Sequence, residues 1–259
     1  MPTLDQHQSS DYFKLIYIGD SGTGKTGSLV SLLAAGYKFK IIDMDNGLDA
    51  LVHFAREQCP DKLCNVEFET IRDEYKSTKA GPIIKGAPKA FVQALDKLTE
   101  WSEIEDPTTI FVRDSGSAFG RAAFEWAKGM NPMAKDPRQW YFSAQQAFES
   151  TIAMLTGEQF KMNVILISHI NYKEVIEGVN KGYVNSIGSA LGPTIPKYFN
   201  TLILAESTGS GTNVRRRIKT MPTGVIDLKV PSPKVDKELP LETGLATIFH
   251  QMKDNSDGN

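Results

Sequence analysis

Two cysteines and four histidines in 259 residues leave little material for a zinc site. Cys59 and Cys64 have no second pair and read as free thiols of a reducing compartment. Net charge is also scarce. The 29 Lys and Arg against 31 Asp and Glu leave −2, so the surface as a whole cannot hold nucleic acid by charge alone. No apolar run reaches the roughly 18 residues that cross a bilayer, and the polar, acidic start MPTLDQHQSSDY lacks the apolar stretch of a signal peptide. The expected location is the cytoplasm. No period of about 20–50 residues recurs, which excludes solenoids and propellers. What is present, 41% hydrophobic and 23% charged residues, is ordinary globular composition and excludes a disordered tail protein. The length suits one large domain with a small appendage.

Apolar patterning alternates strands with helices. Phe13 to Ile18, Lys38 to Met44, Asn65 to Ile71, Thr108 to Val112 and Asn163 to Ile170 read as strands. Thr23 to Ala35, Asn46 to Glu57, Lys89 to Ile104, Ala118 to Gly129 and Trp140 to Leu155 read as helices, and Lys76 to Pro88 as a Gly/Pro loop. Thr201 to Ala205, Arg215 to Thr220 and Val225 to Val230 follow as strands without intervening helices, and Leu241 to Met252 as a short helix. This is an α/β pattern. It predicts a mostly parallel central sheet with helices on both faces and a C-terminal antiparallel extension. Residues 1–12 are expected to be a flexible segment, 13–231 the core, and 232–259 a partly disordered tail.

Gly19-Asp20-Ser21-Gly22-Thr23-Gly24-Lys25-Thr26 matches the phosphate-binding pattern G-x-x-x-x-G-K-[ST], between a predicted strand and a predicted helix. Glycines let the backbone curl so that its N–H groups, together with the helix start at Gly27, face the phosphates. Lys25 reaches the β- and γ-phosphates and the Thr26 hydroxyl can ligate Mg²⁺. ATP and Mg²⁺ are the expected cofactors.

A magnesium ion held this way needs an acidic partner. Asp114 ends the run TIFVRD at the carboxyl edge of a central strand, where ligands sit in open α/β sheets. Ser115 beside it can bond the metal's waters, and either residue is also a good helix cap. Arg113 is out of place in such a run and has no role in this reading. Hydrolysis further needs a carboxylate that orients water. Alternation puts Asp43 and Asp45 on one face at the end of the second strand, so geometry leaves both open, as base or as caps of the next helix. Asp45 lies further out, towards the γ-phosphate.

The order of these pieces, P-loop, acidic strand end, IFVRDS, LISHI, resembles the RecA-type ATPase core. The resemblance implies a RecA-like P-loop ATPase in which Asp45 stands where the family's D-x-E has its glutamate, one methylene short. His169, at the end of LISHI, would be the γ-phosphate sensor. The following stretch, Asn171 to Asn200, fills the slot of a mobile loop that grips single-stranded DNA. It interleaves Lys173, Lys181 and Lys197 with Tyr172, Tyr183 and Tyr198, cations for phosphates and rings for bases. A β-hairpin making oligomer contacts is the plain alternative. More narrowly, the chain is similar to compact phage ATPases of the single-strand annealing and recombination class. That implies a DNA-dependent ATPase in a phage-infected host cytoplasm, assembled as a ring or filament, with a single-strand-binding protein as a partner.

Arg217 and Lys219 share one face of a late strand and match the basic pair that such assemblies insert against a neighbour's γ-phosphate; Arg216 points the other way. A solvated basic edge strand is the competing reading. Two other functions share the P-loop. An oligomeric motor or switch acting on a protein partner suits the near-neutral charge. A small-molecule kinase would need an arginine-rich lid, which the scattered Arg113, Arg121 and Arg138 do not supply.

Overall fold

The computed structural model describes residues 11–253. In chain order its elements begin with β1 (Lys14–Ile18), α1 (Lys25–Ser28), α2 (Val30–Ala34), β2 (Lys38–Asp43), α3 (Asp49–Gln58) and β3 (Val66–Thr70). A two-residue hairpin pair, β4 (Tyr75–Lys76) and β5 (Ile83–Ile84), precedes α4 (Ala90–Ser102), β6 (Thr109–Asp114), α5 (Gly116–Met130), α6 (Arg138–Thr156) and β7 (Asn163–Ser168). The last third holds β8 (Ile170–Ile176), β9 (Val179–Val184), α7 (Leu191–Thr194), β10 (Thr201–Thr208), β11 (Arg215–Lys219), β12 (Glu238–Pro240) and α8 (Leu241–Lys253).

Eight strands form one sheet in the order β12-β11-β10-β1-β7-β6-β2-β3. All pairings from β10 to β3 are parallel, and β11 and β12 are antiparallel. The expected architecture is therefore present. β1, β6 and β7 are buried along their whole lengths, which is why they read as unbroken apolar runs. Alternation divides their side chains between two cores. Ile16, Ile18 and Phe111 face Phe91, Phe119 and Phe148 of α4, α5 and α6. Leu15, Tyr17 and Val112 face Leu32, Leu51 and Leu245 of α2, α3 and α8.

Four local readings are corrected. The helix after the P-loop starts at Lys25 rather than Thr23, since Gly24 has φ 91°, and it tightens at Leu29, whose N–H donates to the Thr26 carbonyl at 3.3 Å. The next helix starts at Asp49 rather than Asn46, since Asn46 has φ 57°, outside helical space. Val225 to Val230 makes a single bridge, Lys229 to Leu202, because β11 already occupies the edge of β10 from Leu204 onward. Ile226 and Leu228 instead bury themselves in the α4–α6 core.

The fourth concerns the tail. The core extends past residue 231: β12 closes the sheet, and Leu245, Ile248 and Phe249 of α8 are fully buried. Residues 1–10 of the segment expected to be flexible, and 254–259 at the other end, lie outside the described residues. Among the described residues no helix is long and apolar enough to cross a membrane.

Candidate functional site

β1 delivers the P-loop to the carboxyl edge of the sheet. Gly24 has φ 91° and caps α1; a side chain there would also meet Leu241 Cδ2 at 2.5 Å, so only glycine fits. Lys25 is buried and its Nζ donates to the carbonyls of Gly19 (2.7 Å) and Asp20 (2.9 Å). Burial pulls the Lys25 pKa below its usual value, while Asp114, Asp20 and Asp45 oppose that shift. These carbonyl contacts hold the ammonium beneath the loop whose amides would receive phosphate.

Asp114 arrives from β6, and the Thr26 hydroxyl donates to its Oδ2 at 2.5 Å. Burial lifts the Asp114 carboxyl from 3.8 to about 6; the Thr26 bond and the Lys25 charge pull it down, whereas Asp45 and Asp43 push it up. A hydroxyl and a carboxylate in contact, amid surplus negative charge, fit a hard divalent cation. Among the described residues no group of three or more His, Cys, Asp or Glu gathers to hold a metal. Thr26 and Asp114 would therefore share Mg²⁺ with phosphate and water oxygens. Ser115 caps α5, its Oγ accepting from the Ala118 N–H at 3.2 Å.

The two candidate bases separate clearly. Asp43 is buried and accepts from the Gly47 N–H (3.2 Å) and the Thr70 hydroxyl (3.3 Å). Asp45 lies beyond the end of β2, is exposed, and its charge is felt at Lys25, Asp114 and His169. Asp43 shapes the turn; Asp45 faces the site. His169 is half-buried, with Nδ1 3.3 Å from Ser117 Oγ. Burial first, and then the Lys25 charge, lower its pKa from the ordinary histidine value, while Asp45 and Asp20 oppose that shift.

Ser117 is a residue that the sequence did not single out. Its hydroxyl lies 3.1 Å from Ser168 Oγ, accepts from the His169 N–H (3.2 Å) and bonds the Asn185 carbonyl (3.4 Å). It thus ties α5, the end of β7 and the foot of the β8–β9 hairpin at one point. Tyr172 on that hairpin donates to Asp20 of the P-loop at 3.4 Å.

The predicted DNA-contacting residues are only partly gathered. Lys173 lies over the Tyr183 ring and donates to the Ser189 carbonyl. Lys181 pairs with Asp227 (2.9 Å) and Lys197 with Glu149 (3.0 Å) at the surface. The hairpin tip exposes Val175, Ile176 and Val179 beside the acidic Glu174 and Glu177.

On the other flank Arg217 pairs with Glu238 and Lys219 with Glu206, both at 2.6 Å. Arg216, which the strand pattern points away from that pair, is the one that reaches the P-loop of its own chain, donating to the Gly22 carbonyl at 3.3 Å. It walls an apolar slot of about 320 Å³ with Gly24, Gly27, Ala50, Phe54 and Leu241. Gly27 admits the Phe54 ring, which a side chain would meet at 2.9 Å. A slot of this kind beside a phosphate loop suits a flat base. On α3 the slot is lined by Ala50 and Phe54, residues that the sequence did not single out.

The family model described as an AAA domain matches residues 11–230. The chain belongs to that family. No curated protein sequence matches it significantly. Solved structures similar to this AAA-domain protein include a KaiC-like protein from Pyrococcus horikoshii OT3, at 11% identity and TM-score 0.46, covering 88% of this chain and 84% of that one. The RadB recombinase matches at 16% identity and TM-score 0.47, over 80% and 79% of the two chains. An ATPase from the type III secretion system of pathogenic bacteria matches at 13% identity and TM-score 0.48, over 75% and 52%.

Proposed function

We propose that this AAA-domain protein is a RecA-like, DNA-dependent ATPase that binds single-stranded DNA and promotes annealing or strand exchange in phage recombination. ATP binds with its phosphates on the Gly19–Gly27 loop and its base in the Phe54 slot. Lys25 neutralises the β- and γ-phosphates, and Mg²⁺ on Thr26 and Asp114 supplies charge neutralisation when bound. Asp45 orients the attacking water and accepts its proton. Arg217 and Lys219 complete a neighbour's site in trans after leaving their exposed carboxylate partners, pairs worth about 0.2–1 kcal/mol each. A ring or filament is therefore the active form.

The observation that carries this reading is the Ser117 node. It gives His169 a hydrogen-bonded path to the hairpin, so the phosphate state and the DNA-facing element share one junction. The test is hydrolysis with and without single-stranded oligonucleotide. Stimulation is expected, lost in Lys25→Ala and reduced in Tyr183→Ala; absence of stimulation counts against it.

A second reading, an ATP-driven switch on a protein partner, is favoured by the ion-paired Lys181 and Lys197 and by a hairpin tip that exposes apolar and acidic side chains rather than basic ones. Oligonucleotide binding with a steep salt slope supports the first reading, and salt-independent or absent binding the second.

A further inference from the structure

Beside the phosphate site, but outside the P-loop, a polar cleft of about 430 Å³ opens between the end of β3, the start of α4 and one side of α5. Asp45 and Ser117 form its rim on the nucleotide side. Met44, Ile71, Ala90, Ala118 and Ala122 make an apolar floor, and the exposed Tyr75 ring lies at its edge.

The charges around the cleft are unequally committed. Asp73 Oδ1 already accepts from the N–H groups of Lys89 (2.7 Å) and Ala90 (3.0 Å). Glu125 leans to Lys128 at 4.0 Å, and Asp45 lies exposed at the rim with no ion pair among the described residues. Arg72 and Arg121 have no carboxylate partner among the described residues. Below the floor lies a third guanidinium. Arg113 is fully buried, stacks on Phe119 at 3.7 Å, and offers Nε, Nη1 and Nη2 to no acceptor. Its strand partner Ile42 is two residues before Met44, and Phe119 sits between the lining residues Ala118 and Ala122.

We infer that this cleft is a second binding site, for a nucleoside monophosphate unit. Two uncommitted guanidinium forks match a phosphate group, and the buried Arg113 charge raises the potential under it. A phenol ring above small apolar side chains matches a base face. The volume gives room for one such unit. The unit is either a free mononucleotide or one residue of single-stranded DNA, held next to the position of the γ-phosphate.

The test uses the full chain saturated with Mg²⁺ and a non-hydrolysable ATP analogue, titrated calorimetrically with thymidine 5′-monophosphate and with a twelve-residue oligothymidylate. One of the two should bind at a single site and weaken at least about tenfold in Arg72→Ala/Arg121→Ala. Binding should persist in Lys234→Ala/Lys237→Ala, which removes the same charge elsewhere. If the mononucleotide displaces the oligomer, or only the oligomer binds, the occupant is a DNA residue; if the mononucleotide binds without displacing it, the occupant is free. Binding of neither, or indifference to the arginine substitutions, would overturn the inference.

Discussion

Asp114→Asn should make the nucleotide-free protein more stable while removing the proposed Mg²⁺ ligand. The carboxyl is buried, and its pKa rises from 3.8 to about 6. A shift of about two units at about 1.4 kcal/mol each means the folded state pays about 3 kcal/mol to hold the carboxylate ionised above pH 6. The sign follows from proton counting. Between pH 3.8 and about 6 the folded protein keeps a proton that the unfolded chain has lost, so this group's stabilisation falls as pH rises through that window. Asparagine keeps an oxygen that accepts from Thr26 and carries no charge. Chemical denaturation in chelator, at pH 7 and at pH 4, checks this. The variant should gain about 3 kcal/mol at pH 7 and almost nothing at pH 4. Equal stability at pH 7, or a gain that does not shrink towards pH 4, would refute the reasoning.

Three further outcomes follow from the packing. Phe54→Ala should weaken ATP binding by about 1–2 kcal/mol through lost base stacking, raising KM for ATP with kcat nearly unchanged; a kcat loss of the same size would place the ring elsewhere. Arg113→Met should raise thermal stability by about 1–3 kcal/mol, because an unpaired buried cation costs several kcal/mol and the stack on Phe119 returns only about 2; destabilisation would mean the guanidinium has a partner. Leu245→Ala should cost about 2–5 kcal/mol in denaturant unfolding, since α8 is core rather than tail; a loss below about 1 kcal/mol would contradict that.

Legibility tracked periodicity and local motif strength. β1, β6 and β7 are unbroken apolar runs because both their faces are covered, and the P-loop announces itself in eight residues. Asp114 follows from its place at the end of β6. What the sequence hides is assembled from distant pieces. Ser117 is one serine among many until the chain brings Ser168, His169 and Asn185 around it. Arg216 reaches the P-loop because β11 runs antiparallel beside β10, a pairing that strand-face counting does not contain. The apolar slot beside the P-loop needs α3, β11 and α8 together. β12 is three residues with no period at all, and Val225 to Val230 has strand-like alternation that the occupied edge of β10 does not accept.

The most direct test of the central claim, a triphosphate gripped by the main-chain amides above Lys25, is equilibrium binding of a fluorescent ATP analogue with and without Mg²⁺. Saturable, magnesium-strengthened binding that falls at least about a hundredfold in Lys25→Ala, with the variant still folded, is the expected result. Equal affinity in wild type and variant would contradict it.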